Sequence, residues 1–303
     1  NKMINACDLL IAVGMRFDDR ITGDTAKFAR QAKVIHLEID RAEINKIIPA
    51  DVAIHADARQ GLKALTEKTD ARDRSAWVNE FQKFKDEEYS KIIEGDWFPK
   101  AGKIRMGEVI HLISEKTNGE AVVVTDVGQH QMVTSRYYAF QNPRSNVTSG
   151  GMGTMGFGLP ASMGAKLGAP SREVIAILGD GGFQMTLQEL GTIVENKIPV
   201  KIVVLNNHFL GMVRQWQQLF FDKRYSFTDM TGPDFIKLAD AYAIDAERVV
   251  DRKDLAAALD KMLAHDGVYF LEVEVEKEEN VFPMVPSGAG VSDMILELPG
   301  TTR

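Results

Sequence analysis

Cysteine is almost absent. Cys7 is the only one in 303 residues, so it can staple nothing within the chain, and its place in the apolar approach "NACDLLIAVG" makes it a small buried hydrophobe. No uninterrupted apolar run reaches the roughly 18 residues that a membrane-crossing helix needs. A charged-then-apolar leader pattern is missing from the first residues as well, and the expected compartment is the cytoplasm. Positive charge is not in surplus: 36 Lys and Arg stand against 43 Asp and Glu, a formal net charge of -7. That balance argues against a nucleic acid or an anionic membrane surface as the main partner, because either demands clustered cations. A small anion held locally stays compatible with it. Internal repeats and low-complexity segments are also lacking.

What is present is an ordinary globular composition, 45% hydrophobic, over a length that suits about two domains. Short apolar runs alternate with helical periodicity, the pattern of an α/β layer fold with buried parallel strands. In residues 1–66, "LLIAVG", "KVIHLEID" and "VAIHAD" read as strands and "ARQGLKALTEK" as a helix. Residues 67–105 are charged and aromatic without a buried-strand candidate, and read as a helical connector. Residues 106–303 carry six strand candidates, "AVVVTDVG", "SNVTSG", "EVIAILGD", "VKIVVLNN", "AERVV" and "VYFLEVEVE", with helical patterns between them and an irregular Pro- and Gly-containing tail. The opening "NKMINACDLLIAVG" looks like a helix tail running into a strand, so the chain is expected to be a piece of a longer protein.

Parallel strands with right-handed crossovers place ligands beyond their carboxyl ends. Polar segments follow the apolar runs here: "TDVGQHQ", "TSGGMGTMG", "GDGGFQ" and "NNHFLGM". Asp180 ends one strand and Asn207 the next, one helix later, so both should project from the same rim. One carboxylate, one amide oxygen and a backbone carbonyl suit Mg²⁺, which takes few protein ligands and completes its octahedron with phosphate and water. Gly179, Gly181 and Gly182 would let helix-start amides approach phosphate oxygens. By lettering alone, the plainer readings are favoured: Asp-Gly-Gly as a turn, His130 as a satisfied helix-start histidine, Met155 as a gap-filling core residue, and Trp216 as one member of a packed helical stripe. Arg214 reads as a surface charge, and Glu189 and Glu195 as solvated or structural acids.

Gly-Asp-Gly, a long spacer and Asn-Asn together match the thiamine diphosphate and Mg²⁺ motif of thiamine-dependent enzymes. Around it, "GQHQM", "TSGGMGTMGFGLPA" and "LNNHFLGMVRQWQQLF" look like the acetohydroxyacid synthase (acetolactate synthase) large subunit, and "GMRFDDRITG" is similar to that family's FAD-binding middle domain. The resemblance implies a thiamine-diphosphate-binding fold, a parallel sheet flanked by helices, preceded by part of a Rossmann-like α/β domain. It implies Mg²⁺ on Asp180, the Asn207 side chain and the Phe209 carbonyl. Gln129 and His130 would contact the diphosphate, with Gly128, Gly179, Gly181, Gly182, Leu210, Gly211 and Met212 around the cofactor. The Gly153 carbonyl would bind its aminopyrimidine, Met155 would wedge its two rings into a folded shape, and Trp216 would border the substrate pocket. FAD would meet Gly14, Arg16, Asp18, Arg20, Glu38, Ile39 and Asp57. Without the family, a glycine turn after a strand and an acid at the next strand's end suit a dinucleotide, and the same group reads equally as a salt-bridged surface loop.

The implied activity joins a decarboxylated pyruvate to a second 2-oxoacid, pyruvate or 2-oxobutyrate, giving 2-acetolactate or 2-aceto-2-hydroxybutyrate for branched-chain amino acids. The implied assembly is a homodimer or tetramer with a small regulatory subunit, and a C-terminal segment around Met284 to Met294 would fold over the site as a lid. The activating glutamate would come from an N-terminal domain of the partner subunit, leaving this chain inactive by itself. Another thiamine-dependent decarboxylase, oxidase or carboligase is the alternative within the same motif, and a noncatalytic nucleotide-binding module is the alternative outside it.

Overall fold

The computed structural model describes residues 1–297. The chain divides into two compact units, Asn1–Ile92 together with the stretch from Phe282 onward, and Ile93–Val281.

The first unit holds a parallel sheet of β1 (Leu9–Val13), β2 (Lys33–Glu38) and β3 (Val52–His55), in that order. Two short-range caps start its early helices: the Asp18 carboxylate accepts from the Arg20 amide before α1 (Asp19–Thr22), and Asp57 accepts from the Arg59 and Gln60 amides before α2 (Ala58–Thr66). Each satisfies helix-start donors that would otherwise lack partners. A longer helix, α3 (Ser75–Glu88), follows. Phe17, Phe28, Val34, Ile48 and Val291 share the core of this unit. Val291 belongs to the C-terminal stretch, which the sequence groups with the second block. The structure places that stretch here instead, through an antiparallel bridge between Gly23 and Gly290 and a 2.9 Å bond from the Asp24 amide to the Ala289 carbonyl. Cys7 is only partly buried, its thiol donating to the Ile4 carbonyl, and so departs from the expected core position.

The second unit opens with α4 (Glu94–Trp97) and α5 (Met106–Lys116). Its six parallel strands are β4 (Val122–Thr125), β5 (Asn146–Thr148), β6 (Val174–Gly179), β7 (Lys201–Asn206), β8 (Asp245–Val249) and β9 (Tyr269–Glu274), in spatial order β5-β4-β6-β7-β9-β8. Eight of the nine strands described fall within the apolar runs named from sequence, and β8 begins one residue before its run. Between them lie α6 (Gln129–Tyr137), α7 (Gly158–Gly168), α8 (Asp180–Met185), α9 (Glu189–Glu195), α10 (Gly211–Phe220), α11 (Phe235–Ala241) and α12 (Arg252–Ala264). The pattern "TLQELGTIVENK" predicts one helix after Asp180, whereas the chain makes α8 and α9 in succession.

Helices cover both faces of this sheet, which is why its inner strands are apolar without alternation. Val123, Ile175, Ile177, Val203 and Leu271 face α5 and α12 residues such as Ile110, Ile113 and Leu259. Val124, Ala176, Leu178, Val204 and Phe270 face Leu159, Phe183, Ile193 and Phe235. From β4 the chain moves outward to β5, then returns past β4 to β6 and β7. The carboxyl ends of β4 and β6 therefore flank a topological switch point, where open α/β sheets bind ligands.

Candidate functional site

Three strand ends build the site. After β4, Asp126, Val127 and Gly128 turn the chain into α6, putting Gln129 and His130 in its first turn. β6 passes at Gly179 directly into α8, which Asp180 opens. After β7, residues 207–210 lead into α10. Because β6 pairs with both β4 and β7, these turns share one rim, and they line a single cleft together with Met155, Met106, Val127 and Leu205. All residues assigned to thiamine diphosphate or its metal line this cleft except Gly153 and Met212. Gly153 lies in an exposed turn at φ +62°, its amide bonded to the Ser149 carbonyl. Trp216 also lies outside the cleft lining, half-buried against Phe220 at 4.8 Å between ring centres.

Asp180 is 3% exposed. Burial pushes its carboxyl up to about 7, against the pull of backbone hydrogen bonding from Gly181. An acid so poorly compensated at a strand end asks for a cation. Two further oxygens come from the neighbouring turn. The Asn207 carboxamide is oriented at both ends, its oxygen accepting from the Phe209 amide at 3.2 Å and its nitrogen donating to Gln129 Oε1 at 3.3 Å. The Phe209 carbonyl is spared by the ladder around it, since the Leu210 amide donates to Thr228 and the Met230 amide to His208. Among the described residues no group of three or more His, Cys, Asp or Glu side chains could hold a metal, so the hard oxygen set here is one carboxylate, one amide and one peptide carbonyl. That set fits Mg²⁺ shared with phosphate.

His130 is 5% exposed, and burial pushes its imidazole down to about 4. One ring nitrogen bonds the Asp126 backbone, while Nε2 is buried with no partner among the protein atoms. Its ring also explains two glycines. A Cβ at Gly128 or at Gly179 would come within 2.9 Å of His130 Cε1, so Gly179 makes room for an imidazole, where the sequence suggests room for a phosphate. Gly181 is different: a Cβ there would meet Leu210 at 2.9 Å and approach Met155 Cε at 3.9 Å, inside the cleft itself. An orphan imidazole nitrogen, a glycine cradle and an undercompensated acid together suit a metal-bound diphosphate.

Gln129 spends its side chain on the protein. Its Nε2 donates to Gln215 Oε1 at 2.9 Å and to the Glu279 carbonyl at 2.8 Å. Arg214 overturns the surface-charge reading: it is 0% exposed, and its guanidinium donates to Gln218 Oε1, the Glu279 carbonyl and Asn280 Oδ1. These partners lie some 65 residues downstream in part, which no local pattern signals. Asp126 and Thr186 carry no local signal of a role either, yet both bind the turn beside Met155.

In the first unit, Gly14, Glu38 and Asp57 follow β1, end β2 and follow β3, so the residues assigned to FAD gather at one rim of the small sheet. Their polar groups have local uses. Arg16 Nε donates to Asp18 at 3.1 Å, Asp18 and Asp57 cap helices, and Glu38 Oε1 accepts from the Ile39 and Asp40 amides. Arg20 and Ile39 are exposed. This pattern matches the salt-bridged loop reading as well as a ligand rim.

Comparison with known proteins adds independent information. Residues 126–273 match the family model "Thiamine pyrophosphate enzyme, C-terminal TPP binding domain", and residues 1–65 match "Thiamine pyrophosphate enzyme, central domain". The chain is 45% identical over 300 residues to the acetolactate synthase isozyme 2 large subunit of Escherichia coli (strain K12), covering 98% of this chain and 53% of that protein. It is 43% identical to the acetolactate synthase large subunit of Lactococcus lactis subsp. lactis, covering 97% and 51%, and 41% identical to the mitochondrial acetolactate synthase catalytic subunit of Saccharomyces cerevisiae, covering 97% and 44%. The chain thus spans about half the length of the curated relatives it matches. It belongs to the thiamine pyrophosphate enzymes, as a homologue of acetolactate synthase large subunits.

Proposed function

We propose that this chain is the part of an acetolactate synthase catalytic subunit that binds the diphosphate end of thiamine diphosphate through Mg²⁺. The observation that carries this reading is the convergence, at the ends of β4, β6 and β7, of a buried uncompensated Asp180, an oriented Asn207 and a partnerless His130 nitrogen on one glycine-lined cleft. Asp180, Asn207 Oδ1 and the Phe209 carbonyl would hold the metal. His130 Nε2 would take a proton and donate to a phosphate oxygen, and Met155 would support the cofactor rings. When bound, thiamine diphosphate supplies a thiazolium that accepts the electron pair released on decarboxylation. The protein's own contribution is to orient the cofactor and keep water from it.

The substrates are pyruvate and a second 2-oxoacid, pyruvate or 2-oxobutyrate, with Trp216 near the second one. FAD held at the rim of the small sheet, a homodimer or tetramer, a small regulatory subunit and a cytoplasmic setting belong to the same reading. Among the described residues no helix is long and apolar enough to cross a membrane. The test is a calorimetric titration of this chain with thiamine diphosphate plus Mg²⁺, repeated on Asp180→Ala. Saturable binding that requires Mg²⁺ and disappears in the variant is expected; equal binding by the variant removes the metal assignment. Binding of NAD in place of thiamine diphosphate would instead support the nucleotide module.

A further inference from the structure

The turn that carries Met155 is held in place by two side chains, and neither has a role in the cofactor assignments above. Asp126, fully buried at the end of β4, accepts from the Gly156 amide with both carboxylate oxygens at 3.0 Å and from the Val127 amide at 2.6 Å. On the opposite side of the same residue, Thr186 Oγ1 donates to the Gly156 carbonyl at 3.0 Å. Gly156 is thereby gripped at both of its peptide groups while it holds φ +85°, a conformation L side chains rarely adopt. A Cβ there would also press on Met185 and Thr186 at 3.2 Å. The amide held by Asp126 belongs to the peptide bond that joins Met155 to Gly156, so its plane sets the direction in which Met155 leaves the backbone.

The same carboxylate packs against the first turn of α8. A Cβ at Gly182 would lie 2.8 Å from Asp126 Cγ, and one at Gly158 would lie 2.8 Å from the Asp126 amide nitrogen. The Asp126 carboxylate is therefore hydrogen-bonded to the turn carrying Met155 and only packed against α8. Buried carboxylates that accept several amides fix loops firmly, because each lost bond strands a buried donor.

We infer that Asp126 and Thr186 are positioning residues for Met155: they set the wedge against the ring portion of thiamine diphosphate and leave its diphosphate anchor untouched. This deepens the reading above and rests on it. Asp126→Asn keeps the volume but puts an amide group against amide donors, and Thr186→Val removes only the hydroxyl.

The experiment titrates this chain and its variants by calorimetry with Mg²⁺-thiamine diphosphate and separately with Mg²⁺-pyrophosphate, which has the anchor and no rings. Asp126→Asn should weaken the first by roughly tenfold, the scale of one hydrogen bond to a charged group, and Thr186→Val by about threefold on the weaker neutral scale. Pyrophosphate affinity should stay within about twofold in both. In a Met155→Ala background, neither change should weaken thiamine diphosphate further, because the coupling runs through that side chain. Equal loss for both ligands, unaltered thiamine diphosphate affinity, or full additivity with Met155→Ala would overturn the inference. Should Asp126→Asn fail to fold, Thr186→Val alone decides the matter. A wild-type chain that binds pyrophosphate but not thiamine diphosphate would refute the cofactor reading itself, an outcome distinct from the failures just named.

Discussion

Replacing His130 with asparagine should change how the cofactor-free chain responds to acid. Asparagine can keep a donor where the imidazole bonds the Asp126 backbone while removing the titrating ring. In the folded chain burial holds that ring's value at about 4, against 6.5 for the ordinary imidazole. Between those values the unfolded chain binds more protons than the folded one, so stability rises with pH and is lost as pH falls from 6.5 toward 4. Above 6.5 both states are neutral and the residue contributes no pH dependence. Integrating the difference gives a loss of about 2 kcal/mol by about pH 5 relative to pH 7.5. Asp180 works in the opposite sense: its folded value of about 7 lies above the ordinary 3.8, so it adds stability as pH falls through 7. The wild-type curve alone therefore mixes two opposing slopes, and the difference between wild type and His130→Asn isolates the histidine. The assay is urea unfolding of both proteins across this pH range. The wild type should lose about 2 kcal/mol relative to the variant by about pH 5. Two curves that stay parallel would refute the claim that His130 is buried in its neutral form. With Mg²⁺-thiamine diphosphate bound, the gap should close, since an anion beside Nε2 favours the protonated ring.

The other predictions concern the same rim and its supports. Asp180→Asn should make the cofactor-free chain more stable at pH 8, by up to roughly 4 kcal/mol, because the wild-type folded state there carries a charge it solvates badly. That advantage should fade as pH falls toward 4, and the variant should gain no thermal stability from Mg²⁺-thiamine diphosphate. Gly211→Ala would put a Cβ 2.1 Å from Gln129 Oε1 and 3.0 Å from Asn207 Nδ2, breaking the bond that aims Asn207. Titration should find Mg²⁺-thiamine diphosphate bound roughly tenfold more weakly. Two glycines of α7 should part company in denaturant unfolding. Gly158→Ala, with backbone of Asp126 at 2.8 Å and Leu178 Cδ2 at 2.5 Å, should cost about 1 to 3 kcal/mol. Gly164→Ala, with nothing within 4 Å, should add about 0.5 to 1 kcal/mol.

Much of this architecture was legible because it depends on local composition. Strands buried on both faces must be apolar without a break, so "VIAILG" and "KIVVLN" declare themselves, and the polar residue after each run marks the carboxyl end. Asp180 and Asn207 could be paired for that reason alone. What stayed hidden depends on partners remote in sequence. Arg214 looks like a helix-surface cation until the Glu279 carbonyl and Asn280 are brought against it. Gly179 looks like a phosphate loop glycine until the His130 ring arrives from another strand. The C-terminal stretch has no periodicity to announce its home, and only the burial of Val291 beside Phe17 and Phe28 reveals it. Nothing in the sequence marks Asp126, because its distant partner is the Gly156 amide thirty residues later, and an amide has no letter in the sequence.

Sheet order carries a lesson about biogenesis. β9 is the last strand of the larger unit to leave the ribosome, yet it is inserted between β7 and β8. Until it emerges, β7 presents one flank of unsatisfied peptide groups on a segment with the apolar centre "IVVL", a sticky edge of the kind that invites aggregation. β8, which among the described residues pairs with β9 alone, has nowhere to dock until then. Nascent chains stalled between residues 206 and 269 should therefore be the ones most in need of chaperones. Arrival of β9 would close the flank in one step, with Glu272 seating on Asn206 and Arg248 at 2.8 and 2.7 Å as its latch.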